Sequence, residues 1–251
     1  MEHPRARGTG GALGRRTIDP WRSSGGADAG SGFAPAASLI DLGALHAAPV
    51  VERPFPHVVV RGFVRADAAP ALEADYPPID RPGSYPATAV RCGASIRRLL
   101  EELDRPAVRA VCAEKFAVDL TGRPAMVTFR GWSAPTDGRI HTDSRTKLVT
   151  VLLYLNREWS KPGGRLRLLN SGDDLADAAV EVTPEFGTLV AFKVTENCWH
   201  GVTPFVGRRR SIQLNWVTAD SVARRERIRH RVSAWFKALR PSPAGRTGAP
   251  P

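Results

Sequence analysis

Apolar positions fall into two rhythms along the chain. In the first half, Val58-Val59-Val60, set between Pro54-Phe55-Pro56 and Gly62, is a β-branched run that predicts a first strand at 57–63. A short helical turn around Asp41–Leu45 precedes it. Asp67–Asp75 is alanine-rich and stopped by Tyr76-Pro77-Pro78, which predicts a short helix, and 77–93 reads as an irregular loop. Two helices then follow closely, at Ser95–Leu103 and Asp104–Val118. In the second, Val108, Val111, Cys112 and Phe116 form one apolar stripe, with Asp104 as the expected N-cap and Pro106 in the first turn. From Ala125 the rhythm shortens. Strands are predicted at Met126–Arg130, Lys147–Leu155, Arg165–Leu169, Ala179–Val182, Gly187–Phe192 and Arg209–Val217, a spacing that points to an all-β sandwich or barrel. Asp220–Leu239 returns to the helical period, with Ile228, Val232, Trp235, Phe236 and Leu239 on one face and a crowd of arginines on the rest.

The two ends lack this patterning. Residues 1–35 are rich in Gly, Ser, Ala and Arg and bury too little to order themselves, so a disordered N-terminal tail is expected there. The expected organisation is a single domain at 36–220, with helices within 67–118 and a β core at about 125–218. A basic amphipathic helix packed on that domain follows at 220–240, then a flexible tail at 241–251. A hydrophobic content of 42% in 251 residues suffices for one core. No apolar run approaches the ~18 residues of a membrane span. Arg15-Arg16 is followed by Thr17-Ile18-Asp19-Pro20 where an export signal would be apolar, so no targeting signal is read. Three cysteines without close pairing speak against a disulfide framework or zinc ribbon, and a cytoplasmic setting is expected. The formal charge of +11 is uneven: +6 falls in 219–251 and +2 in 1–35, leaving +3 for the body. That distribution permits nucleic acid as a partner without favouring it.

Candidate chemistry centres on His141-Thr142-Asp143. On a strand, the two-residue repeat would put the imidazole and the carboxylate on one face. The pair alone says little, since chance spacing yields roughly a third of one such pair in a chain of this composition. Trp199-His200-Gly201 offers a further imidazole, natural for strands on opposite sides of a barrel. Two histidines and one carboxylate leave three positions open on a metal, a geometry suited to non-haem ferrous iron. On the last strand, Arg209, Ser211, Gln213 and Asn215 share one face, while Arg210, Ile212, Leu214 and Trp216 share the other. A polar row opposite an apolar row implies a wet cavity, where an arginine can grip a carboxylate through two hydrogen bonds. Trp132, Arg130, Arg139, Arg145 and Lys147 flank the pair, and several of them suit an anionic group.

In order and spacing, five segments together resemble the catalytic core of the iron(II)/2-oxoglutarate-dependent dioxygenases, in their prolyl-hydroxylase-like group. They are His141-Thr142-Asp143, Val149–Asn156, Gly163-Gly164-Arg165-Leu166, Trp199–Val206 and Arg209-Arg210-Ser211-Ile212. The resemblance covers about 126–217. It implies a mainly β fold with flanking helices, a double-stranded β-helix of the jelly-roll, cupin-like kind. It implies Fe(2+) held by His141, Asp143 and His200, with 2-oxoglutarate and dioxygen as co-substrates. By the same resemblance, Arg209 holds the distal carboxylate of 2-oxoglutarate, Tyr154 assists through its phenol, and Ser211 completes an Arg-x-Ser pattern. A one-residue change of register would exchange Arg209 for Arg210. The implied activity is a hydroxylase acting on an unactivated C–H bond of a small molecule, amino acid or protein side chain, releasing succinate and carbon dioxide. Related halogenases carry a small residue where Asp143 stands, so hydroxylation is expected over halogenation. The alternatives are a nucleic-acid demethylase of the same chemistry and a non-catalytic binding jelly roll. The residues do not indicate an oligomeric state.

Overall fold

Helix boundaries in the first half follow local chemistry. In the computed structural model, which describes residues 37–219, α1 (Leu42–Ala47) starts at Asp41, whose carboxylate accepts from Ala44 N at 2.8 Å. The expected tails at 1–35 and 241–251 and the expected helix at 220–240 lie outside the described residues. Strand β1 (His57–Val60) follows, then a 3-10 turn leading into α2 (Ala69–Ala74). The region expected as a loop, 77–93, contains a two-residue strand, β2 (Tyr85–Pro86). Next come α3 (Ala94–Leu103) and α4 (Pro106–Phe116).

Asp104 does not cap α4. Pro106 holds the residue before it in an extended conformation, so the cap position falls to Arg105 (φ −61°, ψ 147°). Asp104 ends α3 instead. From there its carboxylate accepts from Trp216 Nε1 at 3.0 Å and pairs with Arg109 at 2.6 Å.

Seven strands make the second half: β3 (Ala125–Ser133), β4 (Lys147–Tyr154), β5 (Leu166–Leu169), β6 (Ala178–Val182), β7 (Leu189–Lys193), β8 (His200–Val202) and β9 (Gly207–Val217). Strand β3 runs three residues past its expected end. Among the described residues the strands of each sheet pair antiparallel, in a six-stranded sheet ordered β1-β7-β4-β9-β3-β2 and a three-stranded sheet ordered β6-β5-β8. Between the two lies an apolar interior of Tyr154, Val190 and Phe192 from the large sheet against Leu166, Leu168 and Val182 from the small one. This is the expected jelly-roll sandwich.

The helices cover the other face of the large sheet. Tyr76, just after α2, packs edge-on against Phe129, and its hydroxyl reaches Arg130 O at 2.8 Å and Ser211 O at 2.9 Å. Arg109 of α4 lies over the Trp216 ring. Alternation along β9 therefore serves two environments. Ile212, Leu214 and Trp216 are buried under the helices, and the intervening residues face the space between the sheets.

One buried carboxylate ties the chain's start to this assembly. Glu102 of α3, fully buried, accepts from Ser38 Oγ at 2.7 Å, Leu39 N at 2.9 Å and Arg98 Nε at 3.1 Å. Glu102→Ala would strand those donors, and we expect a loss of stability on the order of 3 kcal/mol, read from the midpoint of denaturant unfolding. A midpoint equal to that of the unaltered protein would contradict this account.

Candidate functional site

His141 and His200 are far apart in sequence but directly opposed in space. Each donates its backbone N–H to the other's carbonyl at 3.0 Å, and their ring centroids lie 4.3 Å apart. They are cross-strand neighbours, not residues on opposite sides of a barrel as expected. In each ring Nδ1 faces the carbonyl two residues earlier, Arg139 O at 2.7 Å for His141 and Cys198 O at 2.8 Å for His200. A carbonyl only accepts, so Nδ1 carries the proton and Nε2 presents its lone pair.

Asp143 reaches the same point by another route. It lies outside any strand, in the segment between the His141 bridge and β4, so the two-residue strand argument for its facing does not hold. Side chains do the positioning instead. Lys147 Nζ donates to Oδ1 at 2.5 Å and Thr150 Oγ1 to Oδ2 at 2.5 Å, while Thr150 Oγ1 also lies 2.9 Å from Asn215 Oδ1. Burial would raise the Asp143 pKa, but the Lys147 charge, these two hydrogen bonds and nearby His200 outweigh it and hold the carboxylate below its usual range. Lys147, expected among the residues that could meet an anion, is thus engaged by Asp143. Arg145 pairs with Glu196 at 2.8 Å on the surface.

Each of His141, Asp143 and His200 offers one ligand atom, and these atoms all lie within 4.8 Å of one another. Two neutral imidazoles and one ionised carboxylate suit a divalent first-row metal. Burial, followed by the neighbouring His141, pushes the His200 pKa down to about 4, so at neutral pH it need lose no proton to bind one.

His141 and His200 line a cleft between the sheets, together with Arg209, Ser211, Gln213 and Tyr154 among others. The ambiguity between Arg209 and Arg210 is resolved by register. Arg209, 4% exposed, enters the cleft and donates from Nε to Gly164 O at 2.7 Å, with its guanidinium over the Tyr154 ring. Gly164 has φ +78°, and a Cβ there would lie 2.4 Å from the Trp159 ring, so the turn that aims this carbonyl needs glycine. Arg210 lies on the other face, over Tyr76 and 3.3 Å from Glu73. The Tyr154 hydroxyl is buried with no hydrogen-bond partner among the described residues. A cleft wall offering a fixed guanidinium and an orphaned phenol fits a carboxylate-bearing co-substrate. Cys198 lies in the apolar interior. Thr150 and Asn215 were not singled out in advance for holding Asp143; the polar row on β9 is the signal that could have found Asn215.

Residues 134–218 match the 2OG-Fe(II) oxygenase superfamily. The matched segment, about a third of the chain, contains all three candidate metal ligands together with Tyr154, Arg209 and Ser211. No curated protein matches the chain. Among solved structures, a Pseudomonas putida prolyl-4-hydroxylase is 24% identical with a TM-score of 0.48, over 71% of this chain and 91% of that one. A prolyl 4-hydroxylase from Phytophthora capsici is 17% identical with a TM-score of 0.47, over 75% and 69%. A viral collagen prolyl hydroxylase from Paramecium Bursaria Chlorella virus-1 is 14% identical with a TM-score of 0.42, over 64% and 96%. At these values the likeness does not extend to reaction or substrate. Among the described residues, no helix is long and apolar enough to cross a membrane.

The low His200 pKa makes a prediction for the metal-free protein. The unfolded chain binds a proton near pH 6.5 and the folded one only near 4, so His200 favours folding fully above about 6.5. As pH falls from about 6.5 to 4 that advantage, on the order of 3 kcal/mol, is lost. His200→Gln should flatten the stability profile across this window in denaturant titrations; an unchanged slope would contradict it.

Proposed function

We propose that this chain is an iron(II)- and 2-oxoglutarate-dependent dioxygenase that hydroxylates an unactivated C–H bond. The observation that carries this reading is that His141 and His200, clustered with Asp143, line the same cleft as Arg209 and Tyr154. In this reading Nε2 of His141, a carboxylate oxygen of Asp143 and Nε2 of His200 hold iron. Arg209 grips the distal carboxylate of 2-oxoglutarate, the Tyr154 hydroxyl donates to it, and Ser211 lines the seat. When bound, iron and 2-oxoglutarate would supply the activation of dioxygen, one of whose oxygen atoms would end in succinate as carbon dioxide is lost and the other in the hydroxylated substrate. The protein's part is orientation and shelter: backbone carbonyls fix the histidine tautomers, Thr150 and Lys147 fix the carboxylate, and the apolar interior limits water. With Asp143 in place, hydroxylation is favoured over halogenation.

The catalytic domain is taken as 36–220, the setting as cytoplasmic, and the substrate as a small molecule or amino acid in preference to a polypeptide. A nucleic-acid substrate is not favoured, because the basic surplus lies mainly beyond residue 218 and Arg210 points away from the cleft, towards Glu73.

His141→Ala should abolish iron-dependent succinate formation from 2-oxoglutarate, and retained formation would defeat the proposal. Arg209→Gln should raise the KM for 2-oxoglutarate by on the order of 100-fold with a smaller effect on kcat, as expected when a charge-assisted pair is lost. Thr150→Val should weaken metal binding by roughly 10- to 100-fold in a cobalt(II) titration followed by absorbance, while the fold persists. Wild-type affinity in that variant would show that the Thr150 hydrogen bond does not orient the carboxylate.

A further inference from the structure

A second guanidinium faces the cleft. Arg130 of β3 is in register with Ser211 of β9, which is in register with Tyr154 of β4, so the three side chains form one row on the cavity wall. Arg209 enters beside them. The two arginines differ in how they are held. Arg209 is anchored to Gly164 O, whereas no hydrogen bond or ion pair holds the Arg130 side chain among the described residues. Burial lowers the Arg130 pKa, the like charge of Arg209 lowers it further, and Asp137, which lines the same cleft, opposes both. Half-buried and unpaired, beside a like charge, such a group is costly until an anion sits on it.

On the proposed dioxygenase reading, on which this inference rests, both carboxylates of 2-oxoglutarate are already accounted for, one at the metal and one at Arg209. Arg130 remains over. We propose that Arg130 seats a free carboxylate of the primary substrate, so that the enzyme acts on a small carboxylic acid and not on an internal residue of a polypeptide. Asp137 lines the same cleft, and its carboxylate accepts from Ala134 N at 2.9 Å with lone pairs to spare for an ammonium group. Among carboxylic acids this favours α-amino acids. Leu152, Leu166, Val202 and Phe205 give the remaining wall an apolar surface for a side chain. Internal peptide residues carry neither free charge and would leave Arg130 unpaired.

The test uses the full chain loaded with manganese(II) and 2-oxoglutarate, titrated by calorimetry with free L-amino acids and with their C-terminal amides. Succinate release by the iron form is followed in parallel. We expect at least one free amino acid to bind at least tenfold more tightly than its amide and to stimulate succinate release. In Arg130→Gln the preference for acid over amide should fall to within twofold while the Kd for 2-oxoglutarate stays within twofold, and Arg130→Lys should recover part of the preference. Three results overturn the proposal: a tenfold loss of 2-oxoglutarate affinity in Arg130→Gln, which assigns the arginine to the co-substrate; no amino acid distinguished from its amide; or a preference that survives the substitution. The 2-oxoglutarate titration and basal succinate release are measured before any amino acid is added. Failure there defeats the dioxygenase reading and takes the Arg130 proposal with it, whereas success there followed by any of the three results removes the Arg130 proposal alone.

Discussion

Two backbone hydrogen bonds between His141 and His200 set the geometry on which the site depends. An antiparallel hydrogen-bonded pair fixes the separation and mutual direction of its two side chains with little freedom. Each imidazole is then turned by a carbonyl two residues earlier in its own chain. Ring position and tautomer are therefore settled by main-chain groups, which do not depend on the state of any other side chain. That is a rigid way to aim two lone pairs at one point.

The third member of the cluster is held differently. Asp143 is buried, and a buried carboxylate without partners would take up a proton. Lys147 and Thr150 prevent this, and both come from β4, the strand that follows it. Thr150 is itself in contact with Asn215 of β9, and Gln213 Nε2 donates to Asn215 Oδ1 at 3.2 Å. A polar chain thus runs from the His141–Asp143–His200 cluster along the inner face of the large sheet towards the end that carries Arg209. Its members sit on neighbouring central strands, where displacement is resisted by pairing on both sides.

Strand β9 carries the division of labour in this fold. Its inner residues line the cleft, and its outer residues bury Ile212, Leu214 and Trp216 beneath the helices. The exchange of register that would swap Arg209 with Arg210 is blocked at a specific place. Between Arg130 and Trp132 the pairing shifts, with β9 contributing one residue more than β3. Asn156 secures that irregularity, accepting from Arg210 N at 2.7 Å and donating to Arg210 O at 3.1 Å. A bulge beside a binding site re-aims side chains, and here two adjacent arginines part to opposite faces.

Much of this was legible in the residues alone. The strands from Ala125 onward follow from β-branched runs and turn formers, because the two-residue period of a half-buried strand is written directly into side-chain polarity. The alternation on β9 likewise showed that one face would be wet. His141, Asp143, His200, Tyr154 and Arg209 were singled out through the family resemblance that the motifs carry, with Arg210 left as the rival to Arg209. Three things required the tertiary structure. The adjacency of His141 and His200 is a long-range pairing that no local pattern encodes. The placement of Asp143 depends on Lys147 and Thr150 reaching back to it, and the cap expected from Asp104 was displaced by Pro106 and drawn into a contact with Trp216. Arg130, one of several basic residues near the pair in sequence, stands apart only once its neighbours are seen to be engaged elsewhere, as Lys147 is by Asp143 and Arg145 by Glu196. Local polarity determines which face a side chain takes, whereas charge pairing is decided by whichever partners the folded chain brings within reach.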